Sequence, residues 1–176
     1  LGNLVSARVL NIIGATQGGA YGLDPEVAWN KGISIDQKMK LFGRESMLSI
    51  DFFRNDFVNQ VVVDLEDTRQ LRFYNLDGKS YSNSFQVELS FLPVKNFDVR
   101  LAYRWFDVHT TYGGKLLQKP FTALNRAFAK LAYELSGWKF DLTLNFVGTK
   151  RIPPTSINPV EFQFPVSSPD FMTMNA

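Results

Sequence analysis

The chain has 176 residues, a formal charge of +2, one histidine, no cysteine and sixteen phenylalanines. That length builds one domain of ordinary size, and so small a net charge, with both signs interspersed, supplies no field for nucleic acid. The cysteine and histidine counts exclude a disulfide framework, a thiolate metal site and a histidine-rich metal cluster, and no cofactor is expected.

Taken in order, residues 1–24 begin with a short strand near Arg8 to Ile13 and continue as a glycine-rich stretch from Gly14 to Gly22. This stretch leads through Asp24-Pro25 into a strand, with no helix N-terminus to present amides, so it reads as a surface loop rather than a phosphate cradle. Residues 25–66 read as two long strands joined by a turn over Leu41 to Glu45. Trp29, Ile33, Ile35 and Met39 share one face and Asn30, Gly32, Ser34, Asp36 and Lys38 the other, which is the period of a strand wet on one side. Lys31 and Gln37 interrupt the apolar row. After the turn Leu48, Ile50 and Phe52 alternate with Ser49 and Asp51, and Val61-Val62-Val63 is read as extending the second strand.

Asp64, Glu66 and Asp67 lack the spacing and glycine of a calcium loop and read as a solvated connection. Leu71 to Gly78 ends in an Asp-Gly turn signal. Gly78-Lys79-Ser80 imitates a nucleotide-binding loop, but Phe73 stands where the motif needs glycine and a strand follows where it needs a helix. Tyr81, Phe85, Val87, Leu89 and Phe91 make a third apolar row, and beyond the turn at Pro93 to Asn96 come Phe97, Val99, Leu101, Tyr103 and Trp105. Asp107 to Pro120, with Tyr112-Gly113-Gly114, suits a loop. Asn125 to Glu134 alternates again, although its alanines leave a short helix open. Leu135-Ser136-Gly137 turns into Trp138, Phe140, Leu142, Leu144 and Phe146. Five prolines from Pro153 to Pro169 make the last connection irregular, and Phe171 to Ala176 begins another alternation.

The run PEVAWNKGIS, the KLFGRE turn and LSIDFFRNDFVNQVVVDLED resemble the late barrel strands of TonB-dependent outer-membrane receptors of Gram-negative bacteria. The likeness continues through RFYNLDGKSYSNSFQVELSF at 72–91 and KPFTALNRAFAKLAYE at 119–134, and so covers most of the chain. It implies an all-β fold: about seven strands of an antiparallel transmembrane β-barrel whose full wall has ~22. Residues 1–176 are then expected to be one partial barrel domain, with the plug domain and closing strands elsewhere in a longer parent chain. The start at Leu1-Gly2-Asn3, which shows no signal-peptide pattern, agrees with that expectation.

Two features favour a barrel wall over a soluble sandwich. Short turns near 42–45, 93–96 and 135–137 alternate with long loops near 55–80, 106–124 and 148–170, as periplasmic turns alternate with outer loops. No run approaches the ~18 apolar residues of a spanning helix, but barrel strands cross without one. Strands of ~9 to 11 residues suffice. The aromatics also fall at the ends of the apolar rows: Phe91, Phe97, Tyr133 and Trp138 at the turn end, Trp29, Tyr81, Tyr103 and Trp105 at the loop end, with aliphatics between. Rings half in lipid and half in water make such girdles. The polar rows, with Asp36, Asp51, Glu88, Asp98, Arg100, Arg104, Lys130 and Asp141, are expected to face the lumen.

No Ser/His/Asp arrangement, cysteine nucleophile or assignable acidic pair is present, so no enzyme is expected. The resemblance implies a receptor that takes up a scarce nutrient (a metal chelate, a cobalamin-like cofactor or a glycan) with energy delivered through TonB. Its expected partners are outer-membrane lipid, the plug of the same parent chain and TonB, and its place is the outer membrane. A passive porin is one alternative. The other is a soluble β-sandwich adhesion or carbohydrate-binding module, with Trp29, Trp105, Tyr21 or Tyr112 stacking on sugars. The ligand-binding residues are not legible, and the loops at 107–120 and 152–169 are where they are sought.

Overall fold

The computed structural model describes residues 9–12, as backbone, and 22–176. The glycine-rich stretch up to Tyr21 lies outside the described residues. Eleven strands are described: β1 (Val9–Ile12), β2 (Val27–Leu41), β3 (Arg44–Asn59), β4 (Val61–Asp64), β5 (Gln70–Asn75), β6 (Ser80–Val94), β7 (Phe97–Tyr112), β8 (Lys115–Gln118), β9 (Asn125–Leu135), β10 (Trp138–Val147) and β11 (Phe171–Asn175). Seven of them form one antiparallel wall in the order β11-β10-β9-β7-β6-β3-β2, with β8 paired to the far end of β7. A second, three-stranded sheet, β1-β5-β4, belongs to the loop side.

The local chemistry explains the meander. Phe42 and Gly43 have φ of 54° and 73°, and Ser136 and Gly137 have 49° and 83°. Two successive residues at positive φ make the two-residue turn whose twist matches the flanking strands. Each turn joins directly paired residues, Leu41 with Arg44 and Leu135 with Trp138. The β6–β7 turn uses Asn96 at φ 62°, a residue that tolerates this region.

Register then unites rows that are separate in sequence. Ile35 pairs with Ile50, Ile50 with Val87, Val87 with Tyr103, Tyr103 with Ala127, Ala127 with Phe146 and Phe146 with Met172. Residues directly opposite each other share a sheet face. All seven apolar rows therefore lie on one side of the wall and all the polar rows on the other. No second layer packs on the apolar side along its flanks: Ile33, Ile35 and Phe140 are 60%, 52% and 56% exposed. Most buried residues gather instead at the loop end, among them Val62, Val108, Tyr112 and Ala123 with Asp64, Ser80, Thr110 and Thr111.

Several expectations are corrected here. Val61–Asp64 does not extend β3. The chain pivots at Gln60, whose side-chain carbonyl accepts from Ser80 Oγ at 2.7 Å, while Asn59 Nδ2 donates to the Pro25 carbonyl at 2.9 Å. β4 therefore joins the smaller sheet. Residues 107–118 are not a loop, because the β-branched and aromatic run Val108 to Tyr112 prolongs β7, Gly113-Gly114 turn and β8 returns beside it, which leaves only Lys119 and Pro120 of the expected loop outside strands. The 125–134 segment is strand, as its alternation predicts, and the alternative of a short helix falls away, its alanines facing larger partners on both sides. β2, β3, β6 and β7, at 15 or 16 residues, outrun the expected length and rise beyond the apolar band.

Candidate functional site

The polar face of the wall carries each expected charge. Asp36 and Asp51 accept hydrogen bonds from the serines opposite them, Ser49 at 2.6 Å and Ser34. Arg100 Nε meets Glu88 at 2.7 Å and Lys130 meets Asp141 at 3.5 Å. Asp98 lies opposite Ala132 and lines a hollow of about 450 Å³ with Lys38 and Lys40 at the turn end. Arg104 is stacked on Phe106, its guanidinium carbon 4.2 Å from the ring centre. These exposed pairs order the face more than they stabilise it, each contributing about 0–1 kcal/mol.

The expected aromatics all share the opposite face. Phe97 and Tyr133 meet edge to face at 6.0 Å near the turns, and Phe91 stands 6.2 Å from the turn residue Phe42. Trp29 and Trp138, at 66% and 71% exposed, project from opposite ends of their rows. Trp105 pairs with Phe85, Tyr103 with Val87 and Tyr81 with His109, onto which it stacks at 5.3 Å. Where the apolar band ends on the loop side, a polar belt crosses it that single-strand patterns do not reveal. Arg54 meets Asp56 at 2.7 Å, reaches Asn83 at 3.1 Å and lies 4.9 Å over Tyr81, and Lys31 joins Asp56 at 3.7 Å.

Above the wall the loops form an ordered platform. Arg151 closes a bidentate pair with Glu66, one arm at 2.9 Å, donates through Nε to the Gln118 carbonyl and lies 5.9 Å over the Tyr112 ring. Asp64 is buried, accepts from the Tyr74 hydroxyl at 2.9 Å and turns the chain by accepting from Glu66 N at 2.8 Å. Asp67 pairs with Arg72 at 3.5 Å. The acidic stretch is thus consumed in packing rather than solvated, which corrects the reading from sequence. Burial and this bond to Asp64 push the Tyr74 phenol up to about 12. Thr111 Oγ1 both accepts from Lys79 N and donates to the Lys79 carbonyl, at 2.9 Å each, against Gly78. Tyr112, only 5% exposed, has no face to offer a sugar, and Tyr21 lies outside the described residues. The far loop displays Val160, Phe162, Phe164 and Val166 to solvent around a short 3-10 turn, Val160–Phe162.

A continuous apolar face backed by a charged one, short turns at one edge and a loop platform at the other is the wall of an outer-membrane barrel. The family profile described as TonB dependent receptor-like, beta-barrel matches residues 5–176. The chain belongs to the TonB-dependent receptor family. A search among curated proteins finds no match. TonB-dependent receptors are outer-membrane receptors and transporters of Gram-negative bacteria, and membership implies a plug domain and a TonB partnership in the full protein. In outer-membrane barrels such as this TonB-dependent receptor family builds, short turns lie on the periplasmic side and longer loops outside.

Proposed function

We propose that this segment forms about a third of the wall of a receptor that imports a scarce nutrient, a metal chelate, a cobalamin-like cofactor or a glycan, with energy supplied through TonB. It performs no catalysis. Lipid meets the face of Ile33, Ile35, Val87, Leu101 and Leu144, the eight aromatics sit at its two boundaries, and the plug and solute meet the charged face. The observation that carries the reading is the register that joins seven apolar rows into one uncovered face. A soluble sandwich would bury such a face against a second sheet. From Phe97 to Trp105, at ~3.3 Å per residue, the band runs about 26 Å along the strand. Tilted as barrel strands are, it covers roughly 20 Å of a band about 25 Å tall, and its boundary rings cover the remainder.

The order of the loop platform favours selective capture over a passive porin. Uptake by cells carrying the full receptor tests this. Candidate chelates, cobalamin and oligosaccharides at nanomolar to micromolar level should accumulate only in energised cells with intact TonB. Equal entry after a protonophore or after loss of TonB would establish a passive pore instead.

A further inference from the structure

On the charged face one cross-strand pair departs from the rule that the others obey. Like charges directly opposite each other destabilise a sheet. Arg100 does stand opposite Lys130 across β7 and β9, but each has a carboxylate of its own, Glu88 and Asp141. Four residues further along β7, Arg104 stands opposite Arg126, and among the described residues no carboxylate pairs with either. Their other neighbours across the strands are Gln86 and Val147, neither of which carries charge.

The arginines line a common hollow of about 180 Å³ with Phe106, Phe121, Thr122 and Ala123, at the edge where the β8–β9 connection enters the wall. Three features mark it as more than a gap between side chains. Phe106 holds the Arg104 guanidinium under its ring, and Arg104 Nε is shielded from solvent with no acceptor. Arg104 is half-buried and Arg126 exposed, and a shielded N–H left without an acceptor is costly until one arrives. The rim is strained: Phe121 has φ 60°, a region a bulky residue rarely enters, and its N–H is committed to the Arg151 carbonyl at 2.9 Å. The hollow therefore hangs directly from the Arg151 platform.

We propose that Arg104 and Arg126 form an anion site that takes a carboxylate or phosphate group of the imported solute. The planar guanidinium fork matches the oxygen geometry of these groups, which a point charge such as lysine does not. The aromatic rims, Phe106 and Phe121, flank whatever scaffold bears the anion. The inference rests on the transport reading and narrows its solute class to anionic molecules. The same chemistry has a second source, a carboxylate of the receptor's own plug, and the experiment separates the two.

The full receptor, purified in detergent, is titrated calorimetrically with citrate and with inorganic phosphate, beside Arg104→Gln, Arg126→Gln and the double variant. Arg104→Lys, which keeps the charge and loses the fork, serves as the conservative variant, and heat-modifiable gel migration establishes that each barrel is folded. The expected result is anion binding by the native receptor, weakened roughly ten-fold or more by each glutamine and less by lysine, as suits loss of charged hydrogen bonds. Equal binding by native and double-variant receptors overturns the proposal. So does a native receptor that binds neither anion while the double variant unfolds at a lower temperature, because the plug then fills the site. Either negative result, with TonB-dependent uptake retained, refutes the anion site and leaves the transport reading in place.

Discussion

At Arg151 one guanidinium joins Glu66, from the β4–β5 connection, to Gln118 and Tyr112 of the β7–β8 hairpin. Both members of the Arg151–Glu66 pair are more than four-fifths shielded, so removing one strands the other. Arg151→Ala should cost about 2 kcal/mol of local stability, and Arg151→Lys nearly as much because the bidentate fork is lost. Hydrogen exchange at 62–76 and 116–124 should accelerate in both variants while the wall stays protected. Tyr74 gives a pH test of the same platform. Its folded value of about 12 lies above the ordinary 10.0, so the neutral phenol is the form that folding favours. Its contribution is complete below pH 10 and is lost as pH rises through 12. Burial raises the Tyr112 phenol as well, so tyrosinate absorbance should show late-titrating intensity that Tyr74→Phe reduces, and late intensity unchanged in that variant would refute the Asp64 bond.

Among the elements, β2 and β3 depend on one absent side chain. A Cβ at Gly32 would come within 2.1 Å of the Phe53 ring and 2.9 Å of the Phe52 carbonyl, so Phe53 lies across the glycine and covers its bare backbone. Such aromatic cover of a strand glycine pins register. Gly32→Ala should destabilise the β2–β3 pair by about 1–3 kcal/mol, measured as a lower denaturant midpoint, and Phe53→Ala in the same chain should recover part of the loss. These elements were largely legible beforehand, because a period of two and paired turn residues are local signals. The far end of β7 is not legible in that way: Gly113-Gly114 marks a turn, but His109, Thr110 and Thr111 resemble a loop until β8 is there to pair with them. The platform was illegible for a different reason. Glu66 and Arg151 lie 85 residues apart, and the Arg104–Arg126 pair exists only in the β7–β9 register.

For the whole molecule, alternation identified which residues share a face, and register showed that seven such faces coincide. What each face meets is the central claim. On the lipid face Leu101→Arg should cost about 2–4 kcal/mol near the bilayer midplane, while Ala102→Arg, one residue on and facing the lumen, should cost little. Unfolding of the receptor from vesicles measures both. The most direct measurement exploits the absence of cysteine from this segment. Single cysteines at positions 98 to 103 of the full receptor, made without other thiols, are labelled with an environment-sensitive fluorophore and challenged with brominated lipid. Quenching at 99, 101 and 103 with none at 98, 100 and 102 is the predicted result. Equal quenching at both sets, or none at either in a receptor recovered from vesicles, would contradict a lipid-facing wall.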